Sequence, residues 1–265
     1  MASPCLRWAG GKRWLVKYLY QLLPTNGFQN YHEPFLGGAS IYLALQTNHL
    51  AFLSDLNKEL IDTYIAIRDI PDEVIDILTS FKNDKDFYYQ IRSAIFNTEA
   101  EKAARFIYLN QTSFNGIYRV NLKGEYNVPF GFRTKNFLDR KSILDVSKAL
   151  RQAILLHADF DIVRQNIQSG DLVFLDPPYT VSHNDNGFIK YNQRIFTIDD
   201  QYRLKQLIDF INDIGAYYIL TNAAHEKIKE IFYDNNKLIE VNRSSLIGGL
   251  NAKRGRTSEY IFTNI

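Results

Sequence analysis

The sequence predicts an α/β fold in which a doubly wound parallel sheet carries an inserted helical and hairpin segment. Three observations predict it. Strand-like and helical segments alternate over the first 67 residues, the alternation resumes near residue 139, and the stretch between them contains successive helices. The simplest organisation therefore places residues 1–61 and 136–265 in one domain and residues 62–135 in a second, inserted domain.

The N-terminal third of the chain supplies the first strands and helices. A glycine turn, Ala9-Gly10-Gly11, precedes the first helix, and the loop Pro34-Phe35-Leu36-Gly37-Gly38 separates the first strand from the next helix. The predicted elements are a helix over residues 12–23, a strand over 30–33, a helix over 39–46, a strand over 50–54 and a helix over 56–67.

In the middle and C-terminal parts of the chain, hydrophobic pattern and turn residues again predict the helices and strands. Pro71 begins a helix, Lys123-Gly124 turns a hairpin, and Thr197 precedes a helix with acidic residues in its first turn. The predictions are helices over 71–81, 100–109, 142–150, 161–168, 199–214 and 225–232, a hairpin over 117–128, and strands over 153–157, 172–175, 216–220, 238–241 and 259–263.

Composition narrows the class of protein. The net charge of +2 over 265 residues does not by itself indicate a nucleic-acid partner, so such a partner must be argued from local patches. The single cysteine, Cys5, excludes an intrachain disulfide and favours a reducing, cytoplasmic location. No apolar run is long enough to cross a membrane, and no metal site is expected. We expect a monomer or a weak dimer.

The segment Asp176-Pro177-Pro178-Tyr179 is the most informative motif. It follows an apolar run typical of a buried parallel strand, and two consecutive prolines forbid both helix and ladder pairing there. The motif thus presents a carboxylate and an aromatic ring at the carboxyl end of a strand, where ligands bind in open α/β sheets. Asp176 and the Pro177 carbonyl suit an exocyclic amino group on a planar ring that stacks on Tyr179.

A second candidate site lies in the loop around Gly37 and Gly38, between a strand and a helix. Glycines there let the backbone approach a ligand closely, and no phosphate-binding glycine motif is present, so a cofactor without phosphates fits better. Asp55 is placed to accept hydrogen bonds from ribose hydroxyls. The competing interpretations are an ordinary turn, a helix cap at Asp55, and solvated charges at Arg7 and Lys12.

Six segments taken together resemble the Dam family of DNA adenine-N6 methyltransferases, the D12 class. They run in the family's order along nearly the whole chain: Leu6-Arg7-Trp8-Ala9-Gly10-Gly11-Lys12, Glu33-Pro34-Phe35-Leu36-Gly37-Gly38, Ser54-Asp55-Leu56-Asn57, Phe114-Asn115-Gly116-Ile117-Tyr118-Arg119-Val120-Asn121, Tyr126-Asn127-Val128-Pro129-Phe130-Gly131 and Asp176-Pro177-Pro178-Tyr179. The resemblance implies a Rossmann-like methyltransferase sheet with a target-recognition domain over residues 62–135.

The resemblance also implies S-adenosylmethionine as donor, with S-adenosylhomocysteine as product, and adenine N6 in double-stranded DNA as acceptor. The catalytic residues would be Asp176, Pro177 and Tyr179. The donor would contact Trp8, Ala9, Gly10, Lys12, Glu33, Phe35, Gly37, Gly38, Asp55, Asp159, Phe160 and Asp176. DNA would contact Arg7, Phe114, Asn115, Arg119, Asn121, Arg133 and Lys253.

Two basic stretches favour a DNA partner. Residues 119–141 hold six cations against two anions, and residues 237–256 hold five against one. Arginine reads guanine bidentately, and the motif match around Arg119 makes GATC the leading target. Residues 110–114 and 132–134 depart from common family forms, so another adenine-containing site stays open.

Two other functions stay open from the sequence. An amino methyltransferase acting on cytosine N4, RNA or protein glutamine would share the turn at residues 176–179. A non-catalytic module could bind DNA through the basic stretches alone.

Overall fold

The structure, a computed structural model, describes residues 2–121, 123–132, 136–180, 196–234, 237–244 and 256–265. These residues form two compact units, one of Met1–Tyr20 with Leu36–Asp159 and one of Gln21–Phe35 with Phe160–Ile265. The described strands pair mostly in parallel and alternate with helices along the chain, which confirms the predicted α/β class.

The described elements follow one another along the chain as α1 (Val16–Leu19), β1 (Tyr31–Glu33), α2 (Ser40–Leu45), β2 (Ala51–Asp55), α3 (Lys58–Asp69), α4 (Pro71–Ser80), α5 (Lys85–Ser93), α6 (Glu99–Thr112), α7 (Arg140–Leu150), β3 (Ala153–His157), α8 (Val163–Asn166), β4 (Leu172–Leu175), α9 (Ile198–Asp213), β5 (Tyr217–Ala223), α10 (Glu226–Phe232), β6 (Lys237–Ser244) and β7 (Arg256–Thr263).

The first unit combines two parallel strands with a set of packed helices. Strands β2 and β3 pair in parallel, with Ala51 opposite Ala153 and Asp55 opposite His157. Helix α3 packs against α6 and α7, and α4 packs against α6. Helix α6 begins with a capping box in which Thr98 and Glu101 satisfy each other's backbone N–H groups. This arrangement holds the carboxyl end of β2, and with it Asp55, on a rigid base.

The second unit contains the other five strands, paired in the order β1-β4-β5-β7-β6. Strands β1, β4 and β5 are parallel, whereas β7 runs antiparallel to both β5 and β6. Apolar side chains of β4, β5 and α9 form its buried core, including Val173, Leu175, Leu204, Leu207 and Leu220. A buried β4 explains its uninterrupted apolar sequence, since both faces of a parallel strand are covered.

Three predicted elements differ from the structure. The helix expected over 12–23 is short, because Leu15 and Tyr18 donate to carbonyls only three residues back, a tighter turn than an α-helix. The helix over 161–168 is split into a 3-10 turn and the four-residue α8. The hairpin over 117–128 is antiparallel, but among its described residues it makes only the bridge between Val120 and Tyr126 and no named strand.

None of the described helices is both long and apolar enough to cross a membrane.

Candidate active site

The Asp-Pro-Pro-Tyr turn follows β4 directly in the second unit. Pro177 is buried, and Asp176 and Tyr179 are half-buried at the end of a fully buried strand. Two side chains from neighbouring strands hold the turn. The Thr221 hydroxyl donates to Asp176 Oδ1 at 2.8 Å, and the Tyr179 hydroxyl lies 2.5 Å from Glu259 Oε2. The motif is therefore fixed both by its proline backbone and by hydrogen bonds to its side chains.

The chain just after the turn is anchored by a buried polar chain of hydrogen bonds. Gln201 Nε2 donates to Thr180 Oγ1 at 2.9 Å, and Asn222 Nδ2 donates to Gln201 Oε1 at 3.0 Å. Thr180 Oγ1 in turn donates to the Phe196 carbonyl at 3.1 Å. Because each buried polar atom in this chain has a partner, the network stabilises one backbone path at Thr180.

The aromatic predicted to hold the donor's adenine belongs to the core of the second unit. Phe160 is 4% exposed, and its ring stacks on Phe35 at 5.5 Å between centroids. The Arg203 guanidinium lies over the same ring at 4.7 Å. The Phe160 ring thus packs on Phe35. Asp159, the residue before it, is the polar member of the Asp159-Phe160 pair that is predicted to hold the donor's adenine.

Glu33 is also buried, and it accepts a hydrogen bond from the Tyr31 hydroxyl at 2.8 Å. A buried carboxylate needs such donors, because its removal from water is costly. The sequence places Glu33 at the end of β1, and the structure shows that its orientation is set within that strand.

The glycine loop and the N-terminal motif come together in the first unit. A Cβ at Gly37 would lie 2.7 Å from Trp8 Cδ1, and one at Gly38 would lie 3.0 Å from Trp8 Cβ. Gly37 also has φ +46°, and its carbonyl accepts from the Tyr64 hydroxyl at 3.0 Å. The glycines are required here because Trp8 occupies the space that a side chain would need.

Trp8 connects this loop to the region predicted to read DNA. Its ring stacks on Tyr118 at 5.8 Å and on Phe106 at 6.5 Å. Tyr118 immediately precedes Arg119, so the aromatic cluster of Trp8, Phe106 and Tyr118 joins the predicted donor motif to the neighbour of the predicted guanine contact within the first unit.

Asp55 accepts two well-formed backbone hydrogen bonds at the end of β2. Gly37 N donates to Oδ2 and Asn57 N donates to Oδ1, each at 2.9 Å. Burial raises the pKa of the Asp55 carboxyl above its ordinary value, although the hydrogen bonds from Gly37, Asn57 and Leu56 oppose the rise. Asn57, which accepts from Leu60 N at 3.1 Å, is the N-cap of α3. The helix-cap interpretation of Asp55 is therefore wrong.

The other residues of the N-terminal motif differ in exposure. Ala9 and Gly10 are exposed, whereas Lys12 is 3% exposed and donates to the Gly10 carbonyl at 3.0 Å. Lys12 is thus a buried charge rather than a solvated one, and buried charges are held by polar partners.

Arg7 and the turn at Phe114–Gly116 form one packed unit. Asn110 clamps the Arg7 backbone through two hydrogen bonds of 2.7 Å, one to its N–H and one to its carbonyl. A Cβ at Gly116 would lie 2.5 Å from the Arg7 guanidinium carbon, so that side chain packs against the turn. The turn presents Phe114, which is half exposed, and Asn115, which is exposed with φ +57°. This geometry favours the predicted surface tip.

Arg119 and Asn121 are oriented by local hydrogen bonds. Arg119 is exposed, with Nε donating to Asn127 Oδ1 at 2.8 Å and Nη2 to the Asn127 carbonyl at 3.4 Å. Asn121 Oδ1 accepts from the backbone N–H groups of Lys123 and Glu125, at 2.9 and 3.0 Å, and closes the turn. Asn121 is thus occupied with turn formation, while Arg119 presents an oriented guanidinium.

One exposed aromatic was missed by the sequence analysis. Phe132 is 72% exposed and has φ +53°, a conformation that is uncommon for a bulky residue. The preceding Gly131 is pressed against the 113–114 backbone, since a Cβ on it would lie 2.5 Å from the Ser113 carbonyl. Phe132 therefore starts beside the Phe114 tip. Its only sequence signal was the departure of residues 132–134 from common family forms. Arg133 and Lys253 lie outside the described residues.

Comparison with known proteins shows the family of the chain. Residues 8–246 match the D12 class of N6 adenine-specific DNA methyltransferases. The Type II methyltransferase M1.LlaDCHI of Lactococcus lactis subsp. cremoris is 32% identical, over 98% of this chain and 95% of that protein. The Type II methyltransferase M.MjaIII of Methanocaldococcus jannaschii is 32% identical, over 83% and 84%. The DNA adenine methylase of Escherichia coli strain K12 is 27% identical, over 94% and 91%.

The fold and the sequence match define a methyltransferase with a mixed α/β sheet. The chain belongs to the D12 class of N6 adenine-specific DNA methyltransferases. It is an enzyme whose substrate is DNA, and this excludes the non-catalytic module and the RNA and protein substrates considered from the sequence.

Proposed function

We propose that the chain transfers a methyl group from S-adenosylmethionine to N6 of an adenine extruded from duplex DNA, with GATC as its target site. The observation that carries this proposal is the Asp176–Tyr179 turn at the carboxyl end of a parallel strand, with its carboxylate held by Thr221 at 2.8 Å. Membership of the adenine-specific family supports the acceptor atom.

Asp176 and Pro177 would hold the amino group. An adenine amine is a weak nucleophile because its lone pair is delocalised into the ring. Hydrogen bonds from its two N–H groups to the Asp176 carboxylate and the Pro177 carbonyl would favour a pyramidal nitrogen and fix its direction. Positioning of two bound reactants accounts for large rate factors, so Asp176 acts as acceptor and positioner rather than as a strong base.

The first unit carries residues that fit a donor with hydroxyl groups and no phosphate. Asp55 is a carboxylate disfavoured by burial, and added hydroxyl donors would relieve that cost. Gly37 and Gly38 let the loop backbone pack against Trp8, and Gly37 N bonds Asp55, so the loop, the Trp8 ring and Asp55 lie together at the proposed donor site. When bound, S-adenosylmethionine supplies the electrophilic methyl group on its sulfonium. Glu33, Phe35, Lys12 and Asp159 complete the predicted donor contacts.

Base extrusion follows from access, because N6 cannot be reached inside a duplex. Extrusion costs a few kcal/mol, and stacking of the base on Tyr179 offsets ~1–3 kcal/mol of it. Phe114, half exposed on a rigid turn, suits the role of a side chain that fills the opened duplex.

Target reading is assigned to residues 62–135. Arg119 is exposed and its guanidinium is oriented by Asn127, which suits bidentate contact with guanine O6 and N7. Phe132, exposed beside the Phe114 tip, is proposed as a second aromatic contact with bases. Arg7 would act mainly by supporting the tip on which Phe114 and Asn115 lie.

The test is methyl transfer from labelled S-adenosylmethionine to DNA that lacks adenine methylation, followed by sequencing of the modified positions. We expect N6-methyladenine within GATC. Methylation at another adenine-containing sequence would disprove only the GATC target. Methylation of cytosine would disprove adenine N6 as the acceptor.

Variants separate chemistry from binding in the same assay. Asp176→Ala is expected to abolish methylation while DNA binding is retained, because this carboxylate is assigned to the extruded base and the donor and not to the DNA backbone or to the target-reading residues. Asp213→Ala, which removes an exposed carboxylate at the end of α9, is the matched control and should be fully active. An active Asp176→Ala enzyme would disprove the site assignment. We also expect a monomer or weak dimer that works in the cytoplasm of a prokaryotic or phage-infected cell.

A further inference from the structure

Both catalytic side chains of the Asp-Pro-Pro-Tyr turn are hydrogen-bonded to fully buried side chains outside it. Thr221 and Glu259 are each 0% exposed. Thr221 Oγ1 donates to Asp176 Oδ1 at 2.8 Å, and Glu259 Oε2 lies 2.5 Å from the Tyr179 hydroxyl. Glutamate is almost never fully buried without a partner, so its place behind a catalytic aromatic calls for a reason.

The strand register explains how two distant residues reach one turn. Leu175 lies opposite Leu220, so Asp176 leaves β4 level with Thr221. Glu259 on β7 lies opposite Ala223 on β5, two residues beyond Thr221. Alternate residues of a strand and directly opposed pairs share a face, so Thr221 and Glu259 lie on the same face of the sheet.

The two hydrogen bonds restrict the freedom that the prolines leave. The proline backbone fixes where the side chains start, but not the rotation of a carboxylate or of a phenol ring. A hydroxyl donor on Oδ1 sets the plane of the Asp176 carboxylate, and hence the direction in which its second oxygen accepts. An acceptor at the phenol oxygen sets where the Tyr179 ring lies.

We propose that Glu259 and Thr221 are positioning residues of the methyl transfer, with Glu259 aligning the Tyr179 ring and Thr221 aligning the Asp176 carboxylate. This inference rests on the proposed function of the turn. Glu259 touches neither substrate nor donor in this role and acts through Tyr179. The antiparallel strand β7 thereby contributes to a site otherwise built at the end of a parallel strand.

The central test compares single-turnover methyl transfer at saturating donor and DNA. Glu259→Leu and Tyr179→Phe each remove the bond between these side chains, and each should slow transfer on the order of 10- to 100-fold, as misplacement of about an ångström does. Glu259→Gln keeps an acceptor oxygen and should stay within about threefold of wild type. DNA affinity should change by less than about threefold in all three, because the ring itself is retained.

A double variant distinguishes this role from a general loss of structure. If the two residues act through one bond, Glu259→Leu with Tyr179→Phe should be no slower than the slower single variant. Tyr218→Phe is the matched control, because Tyr218 is a buried β5 tyrosine whose hydroxyl has no hydrogen-bond partner among the described residues. It should transfer at the wild-type rate. For the second pair, Thr221→Val should slow transfer, whereas Thr221→Ser keeps the donor and should restore it.

The outcomes separate the two proposals. If the wild-type chain methylates no adenine, both the proposed function and the positioning roles are disproved. Wild-type activity with an unchanged rate in Tyr179→Phe and Glu259→Leu overturns only the positioning role. A double variant that loses the product of both single effects also overturns it. If Glu259→Leu fails to fold, the transfer rates of Tyr179→Phe and Glu259→Gln decide. A slow Tyr179→Phe with an active Glu259→Gln supports the positioning role, whereas an active Tyr179→Phe with a slow Glu259→Gln overturns it.

Discussion

Asp55 in the first unit and Asp171 in the second both lie beside strands of the sheet, yet their pKa values shift in opposite directions. For Asp171, which is 0% exposed, burial acts to raise the pKa, but hydrogen bonds from His32, Asn30 and Gln168 outweigh it and the pKa is lowered. For Asp55 burial outweighs the backbone hydrogen bonds, and the pKa is raised.

The difference is one of satisfied hydrogen-bonding capacity. Asp171 accepts from Asn30 N and Nδ2 and from Gln168 N, and it lies 2.9 Å from His32 Nε2. With that many donors the hydrogen-bonding capacity of the Asp171 carboxylate is filled, so the carboxylate stabilises the fold. Asp55 accepts the backbone N–H groups of Gly37 and Asn57, and these bonds do not offset the effect of burial on its pKa, a balance that is frequent at functional sites. Residues that the fold satisfies should therefore matter for stability, and residues that it leaves short should matter for binding.

The largest expected effect is on stability, at Asp171. Asp171→Ala leaves several buried donors without an acceptor and should lower the free energy of unfolding by about 3–5 kcal/mol. Urea unfolding followed by circular dichroism measures it. Asp209→Ala, which breaks an exposed ion pair with Lys205, is the control and should cost about 0–1 kcal/mol.

The pH dependence has a definite sign. Because the folded pKa of Asp171 lies below the unfolded value, its contribution to stability is present above the unfolded pKa and is lost as pH falls through the folded pKa. A urea midpoint for Asp171→Ala equal to that of wild type would contradict the assignment of this carboxylate to the fold.

Gly37 is expected to give the next effect, because it serves the fold and is also proposed to line the donor site. A Cβ there would lie 2.7 Å from Trp8 and would have to adopt φ +46°. Gly37→Ala should lower the free energy of unfolding by about 2–4 kcal/mol and abolish measurable donor binding by calorimetry. Gly27→Ala has φ +77° with nothing within 4 Å and should cost only about 1 kcal/mol of backbone strain. Equal losses of unfolding free energy in the two variants would show that the clash with Trp8 does not contribute.

Local pattern explains which parts of the fold could be predicted. Strands 153–157 and 172–175 match the prediction residue for residue, because each is an apolar run bounded by polar or turn residues. Trp8, Gly37 and Asp55 could likewise be singled out, because each belongs to a contiguous motif with its own chemistry.

The rest depends on contacts between distant parts of the chain. Thr221 is 45 residues from Asp176, and Glu259 is 80 residues from Tyr179, so only the pairing of β4 with β5 and of β5 with β7 reveals them. The left-handed backbone at Phe132 gave no signal either, since glycine or asparagine is what a pattern predicts at such a position. Local motifs thus indicate the residues proposed to touch ligands, and the register of the strands indicates the residues proposed to support them.

Asp55 should show the reverse of Asp171. Asp55→Asn is expected to weaken donor binding about 10- to 100-fold, the effect of losing a hydrogen bond to a charged acceptor, with little loss of stability at neutral pH. Because its folded pKa is raised, ionised Asp55 destabilises the ligand-free fold as pH rises above the unfolded value, so its removal is not costly there.

Calorimetry across pH checks this prediction. Donor affinity of the wild-type protein should fall as pH drops through the raised pKa of Asp55, because the protonated carboxyl accepts hydroxyl donors poorly. The affinity of Asp55→Asn should stay flat over that range. A parallel decline in both would place the titrating group elsewhere.

The smallest effect, and the sharpest separation of stability from binding, is expected at Phe132. Its ring is 72% exposed and its φ of +53° is unfavourable for any residue with a Cβ. Phe132→Gly relieves that conformation and should stabilise the fold by about 0.5–1 kcal/mol. The same change should weaken DNA binding by about 1 kcal/mol, the lower end of the range for base stacking.

Phe132→Ala removes the ring but keeps the unfavourable φ, so it should lose the same DNA affinity without the gain in stability. Tyr20→Ala, at another exposed aromatic, controls for general surface effects and should change neither quantity by much. The Phe132 ring packs edge-on against Phe130, with 5.1 Å between the ring centroids, yet it stays largely exposed at a cost in backbone strain, and contact with DNA would explain that cost. A stabilised Phe132→Gly enzyme with full DNA affinity would show that the ring does not contact DNA.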